Sequence, residues 1–232
     1  MKKMKRVKKI ILENKYLSWL QFFSNWLMQG IFHADLSEKL YKVTFTLFFS
    51  VLFFFIHKFY YGLPLSKNIL ISFFYAHSIN WIINCNFFVI LVHRIKWLKT
   101  SKVRLFEHLT SIQYRLKNMS NKQWLQYSVS HGGICEGTLN NHSDIDVTLI
   151  RNPGFKNMIL AILFYVKEKK YADIKGIPLD IFISDSPNDC IKKSKGQKNP
   201  IVLFDPQDKV KFFYPYNMIM NIQEAMTLNN VK

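Results

Sequence analysis

Gly132-Gly133-Ile134-Cys135-Glu136-Gly137-Thr138-Leu139-Asn140-Asn141-His142-Ser143-Asp144-Ile145-Asp146-Val147 is the stretch that decides the fold, because it sets two carboxylates one residue apart shortly after a paired-glycine turn. Upstream, residues 124–130 have strand composition, and the glycines break that run. Downstream, Ile145, Val147, Leu149 and Ile150 resume an apolar run rich in β-branched residues. Side chains alternate across a strand, so Asp144 and Asp146 are expected on the same side. Two carboxylates held this close repel each other unless a cation sits between them. Hard oxygen donors of this kind suit Mg²⁺, which commonly bridges carboxylates to substrate phosphates. The pair therefore predicts a metal-bound nucleotide.

A third carboxylate is needed if two metal ions are to hold both the attacking and the leaving oxygen of an in-line displacement. Asp180 is the candidate, the only charge in the apolar β-type run Ile177-Pro178-Leu179-Asp180-Ile181-Phe182-Ile183. A lone acid in a buried strand is costly unless it is paired or metal-bound. The competing reading is an edge-strand aspartate facing water, which Pro178 would suit. Taken beside Asp144 and Asp146, the metal-ligand reading of Asp180 is preferred.

The residues from Gly132 to Val147 resemble the signature of the DNA polymerase beta-type nucleotidyltransferase superfamily, and most closely its minimal, single-domain bacterial and archaeal branch. In that family a Gly-Ser or Gly-Gly pair, a further glycine four residues on, and Ser-Asp-x-Asp-hydrophobic recur at this spacing, with a third Asp on a later strand. Gly137, Ser143 and Asp180 fit that pattern. The resemblance covers about residues 104–220, with element boundaries that carry a few residues' tolerance. It implies a small mixed sheet with helices on one side and two Mg²⁺ ions on Asp144, Asp146 and Asp180. It also implies an NTP, with ATP the leading choice, whose phosphates lie along Gly132 and Gly133 while Ser143 contributes a hydroxyl contact.

Neighbouring residues have plainer readings. His131 stands where the family pattern is apolar; it is a base, a phosphate contact, or, as lone histidines most often are, a surface residue beside a turn. Glu136 stands where the pattern is basic, and either disfavours a triphosphate or points to solvent. Cys135 reads as a small filler, since nothing nearby argues for a lowered thiol pKa, and His142 as a turn residue.

The first half needs its own explanation. Of 21 phenylalanines, many fall within residues 45–55 and 73–88. Residues 43–57 hold no Asp, Glu, Lys or Arg, a run short of the roughly 20 residues a span requires. Residues 68–92 are also free of those four types and long enough, yet contain Ser72, His77, Ser78, Asn80, Asn84 and Asn86. Joined by Gly62-Leu63-Pro64, the two runs form either a membrane hairpin or a buried α-hairpin of a soluble helical domain. His77, Asn80 and Asn84 recur at three- and four-residue spacing and share a face, which suits hydrogen bonding between helices more than substrate contact.

Residues 2–9 carry six Lys or Arg and residues 93–104 carry five, so both outer ends of a hairpin would stay on the cytoplasmic side. Tyr60, Tyr61 and Trp97 fall at interface heights. Residues 16–28 read as an amphipathic helix with Leu17, Leu20, Phe23, Trp26 and Leu27 on or near one face, suited to an anionic membrane surface. No apolar core with a small-residue cleavage site follows the basic leader, which argues against a secretory signal. Cys85, Cys135 and Cys190 show neither metal spacing nor a disulfide framework, and fit a reduced compartment.

The net charge of +17 also admits nucleic acid as a partner. The basic clusters at residues 167–170 and 192–198 most simply form solvated faces, and no recognised RNA-binding motif accompanies them. These readings give an α+β chain: residues 1–103 a basic leader and apolar helical hairpin, residues 104–232 a nucleotidyltransferase-like domain, with the joint at residues 99–104. The expected activity is Mg²⁺-dependent transfer of a nucleoside monophosphate from an NTP to a hydroxyl of a protein or small molecule. It would take place in the cytoplasm or on the cytoplasmic face of the membrane. Within the resembled branch, small helical partner proteins are common. The alternative is a membrane-anchored nucleotide-binding or interaction module without transfer.

Overall fold

Three strands with β-branched and apolar alternation, Leu125–His131 (β1), Ile145–Arg151 (β2) and Leu179–Ser184 (β3), pair with the short apolar strand Ile201–Phe204 (β4) into one sheet of order β3-β2-β1-β4. In this computed structural model the described residues are 15–29, 31, 34–85, 87–94, 100–193, 199–214 and 218–231. β1 runs antiparallel to both β2 and β4, whereas β2 and β3 are parallel, so the sheet is mixed. The parallel pair requires a crossover, which the 21-residue helix Phe155–Lys175 supplies.

Nine helices accompany the sheet among the described residues: α1 (Lys15–Met28), α2 (Leu36–Tyr61), α3 (Leu65–Asn84), α4 (Phe87–Arg94), α5 (Lys102–Asn118), α6 (Gly133–Glu136), α7 (Phe155–Lys175), α8 (Pro187–Lys193) and α9 (Ile222–Leu228). The protein is thus α+β with a four-stranded mixed sheet, as its sequence led us to expect. Ser101 caps α5 by accepting a hydrogen bond from the Arg104 N–H at 3.3 Å, and Asn221 with Glu224 forms a capping box on α9.

The chain forms two compact units. One comprises the described residues up to 31 together with 46–85; the other comprises 34–45 and the described residues from 87 onward. This division differs from a split at residue 103. α2 belongs to both units, its first turns to the sheet-containing unit and the rest to the helical one, which local composition does not reveal.

In the sheet-containing unit, alternation places Ile145, Val147 and Leu149 of β2, with Ile181 and Ile183 of β3, on one face. There they pack with Leu105, Leu109 and Ile112 of α5, Ala161 and Tyr165 of α7, and Ala225 of α9. The opposite face carries a smaller cluster of Tyr127, Val129 and Ile150 with Cys190 of α8, Val210 and Tyr214. Helical cover therefore lies mainly, but not solely, on one side. The basic cluster at 167–170 is not simply a solvated face. Glu168 is buried in a two-pronged ion pair with Arg115 at 2.7 and 2.6 Å, and buried Lys169 donates to the Leu179 carbonyl at 2.9 Å. Of the second cluster, the side chains at 192–198 lie outside the described residues.

In the helical unit, α2 and α3 are joined through Gly62, Leu63 and Pro64. The charge-free run 68–92 is not one helix, because α3 stops at Asn84 and Cys85 turns to extended backbone. α1 is helical as expected, but its inward contacts are Phe22 against Trp81 and Trp26 against Phe74 and His77, while Phe23 and Leu27 are exposed. The side chains of Leu17 and Leu20, the leader 1–14, and Trp97 lie outside the described residues.

Candidate functional site

The register of the sheet brings the predicted carboxylates together. Asp146 of β2 is the direct partner of Asp180 on parallel β3, and His131 of antiparallel β1 is the partner of Asp146 on its other side. Residues directly opposite across a ladder share a face, so His131, Asp146 and Asp180 form one row on the sheet face that carries Ile150 and Val129. Asp144 precedes β2 by one residue, in the turn that leads into it. β3 is an edge strand, as Pro178 suggested, but Asp180 is not simply turned to water.

Electrostatics follow from that crowding. Burial pushes the Asp146 carboxyl well above the usual carboxylate range, and the charges of Asp144 and Asp180 push it further. Burial raises Asp180 to about 7; Lys169 opposes the rise, Asp144 and Glu38 add to it, and Lys42 opposes it. Each of the three aspartates retains partial solvent access. Among the described residues no three His, Cys, Asp or Glu side chains are closed into a ready metal cage. The donor set nevertheless fits a hard divalent cation: three carboxylates, each bearing on another's charge, with the repulsion that such a cation relieves.

The glycine pair has a sharper role than backbone access alone. Gly132 has φ +84°, outside the range of ordinary L residues, and a Cβ there would overlap the Asp146 carboxylate. Gly133 begins α6, and the Gly132 carbonyl accepts from the Cys135 N–H at 3.0 Å. Gly137 ends α6 in the left-handed conformation with φ +69°, where a Cβ would press on Leu228. Ser143 is engaged locally: its hydroxyl accepts from the Asn140 N–H at 2.9 Å and its N–H donates to the Asn140 carbonyl at 3.1 Å. His142 lies in the same turn, as expected, and its N–H meets the Asn140 side chain at 2.8 Å.

His131 is not a surface histidine. It is 4% exposed, its Nε2 lies 3.2 Å from the Tyr214 hydroxyl, and burial lowers its pKa to about 4, so the ring is neutral at pH 7. Cys135 fits the filler reading, since its thiol donates to the Ser130 carbonyl at 3.2 Å and burial pushes its pKa up to about 12. Glu136 is exposed, which matches the solvent reading.

Two contributors have no local sequence signal. Asn229, buried after α9, donates to the Ile134 carbonyl at 2.8 Å and accepts from the Leu139 N–H at 3.3 Å, clamping both ends of the segment that follows the glycine pair. On the first turns of α2, buried Glu38 pairs with buried Lys42 at 2.7 Å, and its second oxygen has no hydrogen-bond partner. Those turns are tied to the end of β3. Asp185 accepts from the Ser37 N–H at 3.0 Å and from Arg151 Nε at 2.7 Å, and Asp35 accepts from the Ser184 hydroxyl and the Asp185 N–H, both at 2.9 Å. Burial would raise the Asp185 carboxyl, but Ser37 and Arg151 outweigh it and hold it below the usual range.

No protein-family model matches the chain, and no curated protein matches it.

Proposed function

We propose that the sheet-containing unit is a nucleotidyltransferase that moves a nucleoside monophosphate from an NTP, ATP being the expected donor, to a hydroxyl of a protein or small molecule. The observation that carries this reading is the pairing of Asp146 with Asp180 across β2 and β3, with Asp144 close enough to raise both. Asp144 and Asp146 would hold the Mg²⁺ ion on the donor phosphates, and Asp146 with Asp180 a second ion. Bound Mg²⁺ would supply charge neutralisation on the phosphates and polarise the acceptor oxygen.

The chain's own groups then have distinct tasks. Gly132 lets the Asp146 carboxylate sit against the turn, and neither Gly132 nor Gly133 has a side chain of its own to keep the phosphates from the backbone. Asp180 takes the proton from the acceptor hydroxyl as its oxygen bonds to the α-phosphorus and the bond to the pyrophosphate breaks. Neutral His131, held against Tyr214, fills the row beside Asp146 without adding charge.

A ligand that binds only the folded state raises its stability. Mg²⁺ with ATP should therefore raise the unfolding temperature of the purified protein, and Asp144→Asn combined with Asp146→Asn should abolish the rise. An undiminished rise in the double variant would remove the carboxylate site from this reading, leaving a nucleotide-binding module whose ligand lies elsewhere.

A further inference from the structure

The helical unit is packed with its polarity reversed. On α3 the buried positions are Asn68, Ser72, Ala76, Asn80, Trp81 and Asn84, a mostly polar or small stripe at four-residue spacing. The apolar residues beside them face outward: Asn68 is 1% exposed, whereas Ile69 is 54% and Leu70 71% exposed. In water the opposite distribution is favoured, since burying polar groups while exposing large apolar ones forgoes the hydrophobic driving force. On α2, Val51, Leu52, Phe55 and Phe59 are likewise exposed.

The polar stripe is satisfied by partners within the same unit. Asn68 Nδ2 donates to the Phe54 carbonyl at 3.0 Å, and the Ser72 hydroxyl donates to Asn68 Oδ1 at 3.2 Å and lies 3.0 Å from His57 Nδ1. Asn84 donates to Asn80 Oδ1 at 2.9 Å, Asn80 to Gln29 Oε1 at 2.8 Å, and Gln29 to the His77 carbonyl at 2.6 Å. Trp26 Nε1 donates to the Ser78 hydroxyl at 3.1 Å. Among the described residues the buried side-chain polar atoms without a hydrogen bond are Glu38 Oε2, His108 Nε2 and Tyr127 Oη, none of them in this unit. A seam that satisfies itself, inside an apolar exterior, is what a solvent without hydrogen-bonding capacity requires.

From this we infer that the α2–α3 hairpin is inserted in a lipid bilayer and spans it, with the Gly62-Leu63-Pro64 turn at the far headgroup layer. The 20 residues of α3 extend about 30 Å, the thickness of the hydrocarbon core, and the part of α2 that belongs to this unit, residues 46–61, extends about 24 Å. The turn is flanked by Lys58, Tyr60, Tyr61 and Lys67, all exposed and of the types that settle at an interface. In the sequence, six basic residues within 2–9 precede the hairpin and five within 93–104 follow it, a charge bias that suits anionic headgroups. Among the described residues α2 is the helix long and apolar enough by length and composition to cross a membrane, whereas α3 carries Asn68, Ser72, Asn80 and Asn84, all buried in the seam.

This inference does not rest on nucleotidyl transfer, so either can fail alone. The test uses the full chain expressed in bacterial cells. It should stay in the membrane pellet after a carbonate wash, and an impermeant maleimide should label Leu63→Cys in intact cells but Ser120→Cys, in the other unit, only after lysis. The three native cysteines are buried, and the unsubstituted chain gives the background. Release by carbonate, whether as a monomer or a self-associated chain, would overturn bilayer insertion. Retention with Leu63→Cys labelled only after lysis would overturn the span.

Discussion

Replacing Gly132 by alanine tests whether the glycine turn exists to seat the Asp146 carboxylate. The backbone there, at φ +84° and ψ −157°, lies where a non-glycine residue costs about 1–3 kcal/mol. The added Cβ also overlaps the Asp146 carboxylate, so that side chain must leave its rotamer at a further cost of about 0.5–1.5 kcal/mol. Together these predict a loss of about 1.5–4.5 kcal/mol, a fall of roughly 3–18 °C in Tm for a chain of this size. The chain contains a control. Gly154 has φ +109° but nothing nearer to its Cβ position than Asn157 Nδ2 at 3.8 Å, so Gly154→Ala carries the backbone strain without the overlap. Thermal unfolding followed by fluorescence, with and without Mg²⁺ and ATP, should show both variants destabilised, and only Gly132→Ala deprived of the ligand-induced rise. Wild-type stability and an intact rise in Gly132→Ala would refute the assignment.

Asn229→Ala should lower stability by about 1–3 kcal/mol, because it strands the buried Leu139 N–H and Ile134 carbonyl; it should also weaken Mg·ATP binding by loosening the glycine turn, which isothermal titration would detect. His108 supplies a pH test remote from the carboxylates: burial first, and Arg115 second, lower its pKa to about 4. Between pH 6.5 and 4 the unfolded chain then binds more protons than the folded one, so stability falls as pH drops through that window, by about 3 kcal/mol at most for this group. His108→Leu should flatten that part of the stability-versus-pH curve measured by urea unfolding, and an unchanged slope would show that His108 is not held neutral.

The parts of the fold that can be read from the sequence are those with a local period or a local breaker. The strand before Gly132, the alternation from Ile145, the apolar run around Asp180 and the turn at Gly62-Leu63-Pro64 all fall where composition places them. So does the polar face of His77, Asn80 and Asn84, since helical spacing is a local property. What local composition cannot carry is pairing over distance. His131 finds Tyr214 83 residues away, and Asn229 reaches Ile134 across 95. The Glu38–Lys42 pair acts on Asp180 only because the chain folds the first turns of α2 onto the unit that holds β3. An uninterrupted helical period in α2 likewise gives no sign that its two ends belong to different units.

Transfer of label from α-phosphate-labelled ATP to any lysate component, with Mg²⁺ present, is the most direct measurement, made with the wild-type protein and with a folded Asp180→Asn variant side by side. If Asp180 receives the acceptor proton and completes the carboxylate set, wild type transfers label and the variant loses transfer by about a hundredfold or more while ATP affinity stays within a few fold. Equal transfer by the two proteins would reject the role of Asp180, and no labelled product with wild type would contradict the enzyme reading and leave a nucleotide-binding module.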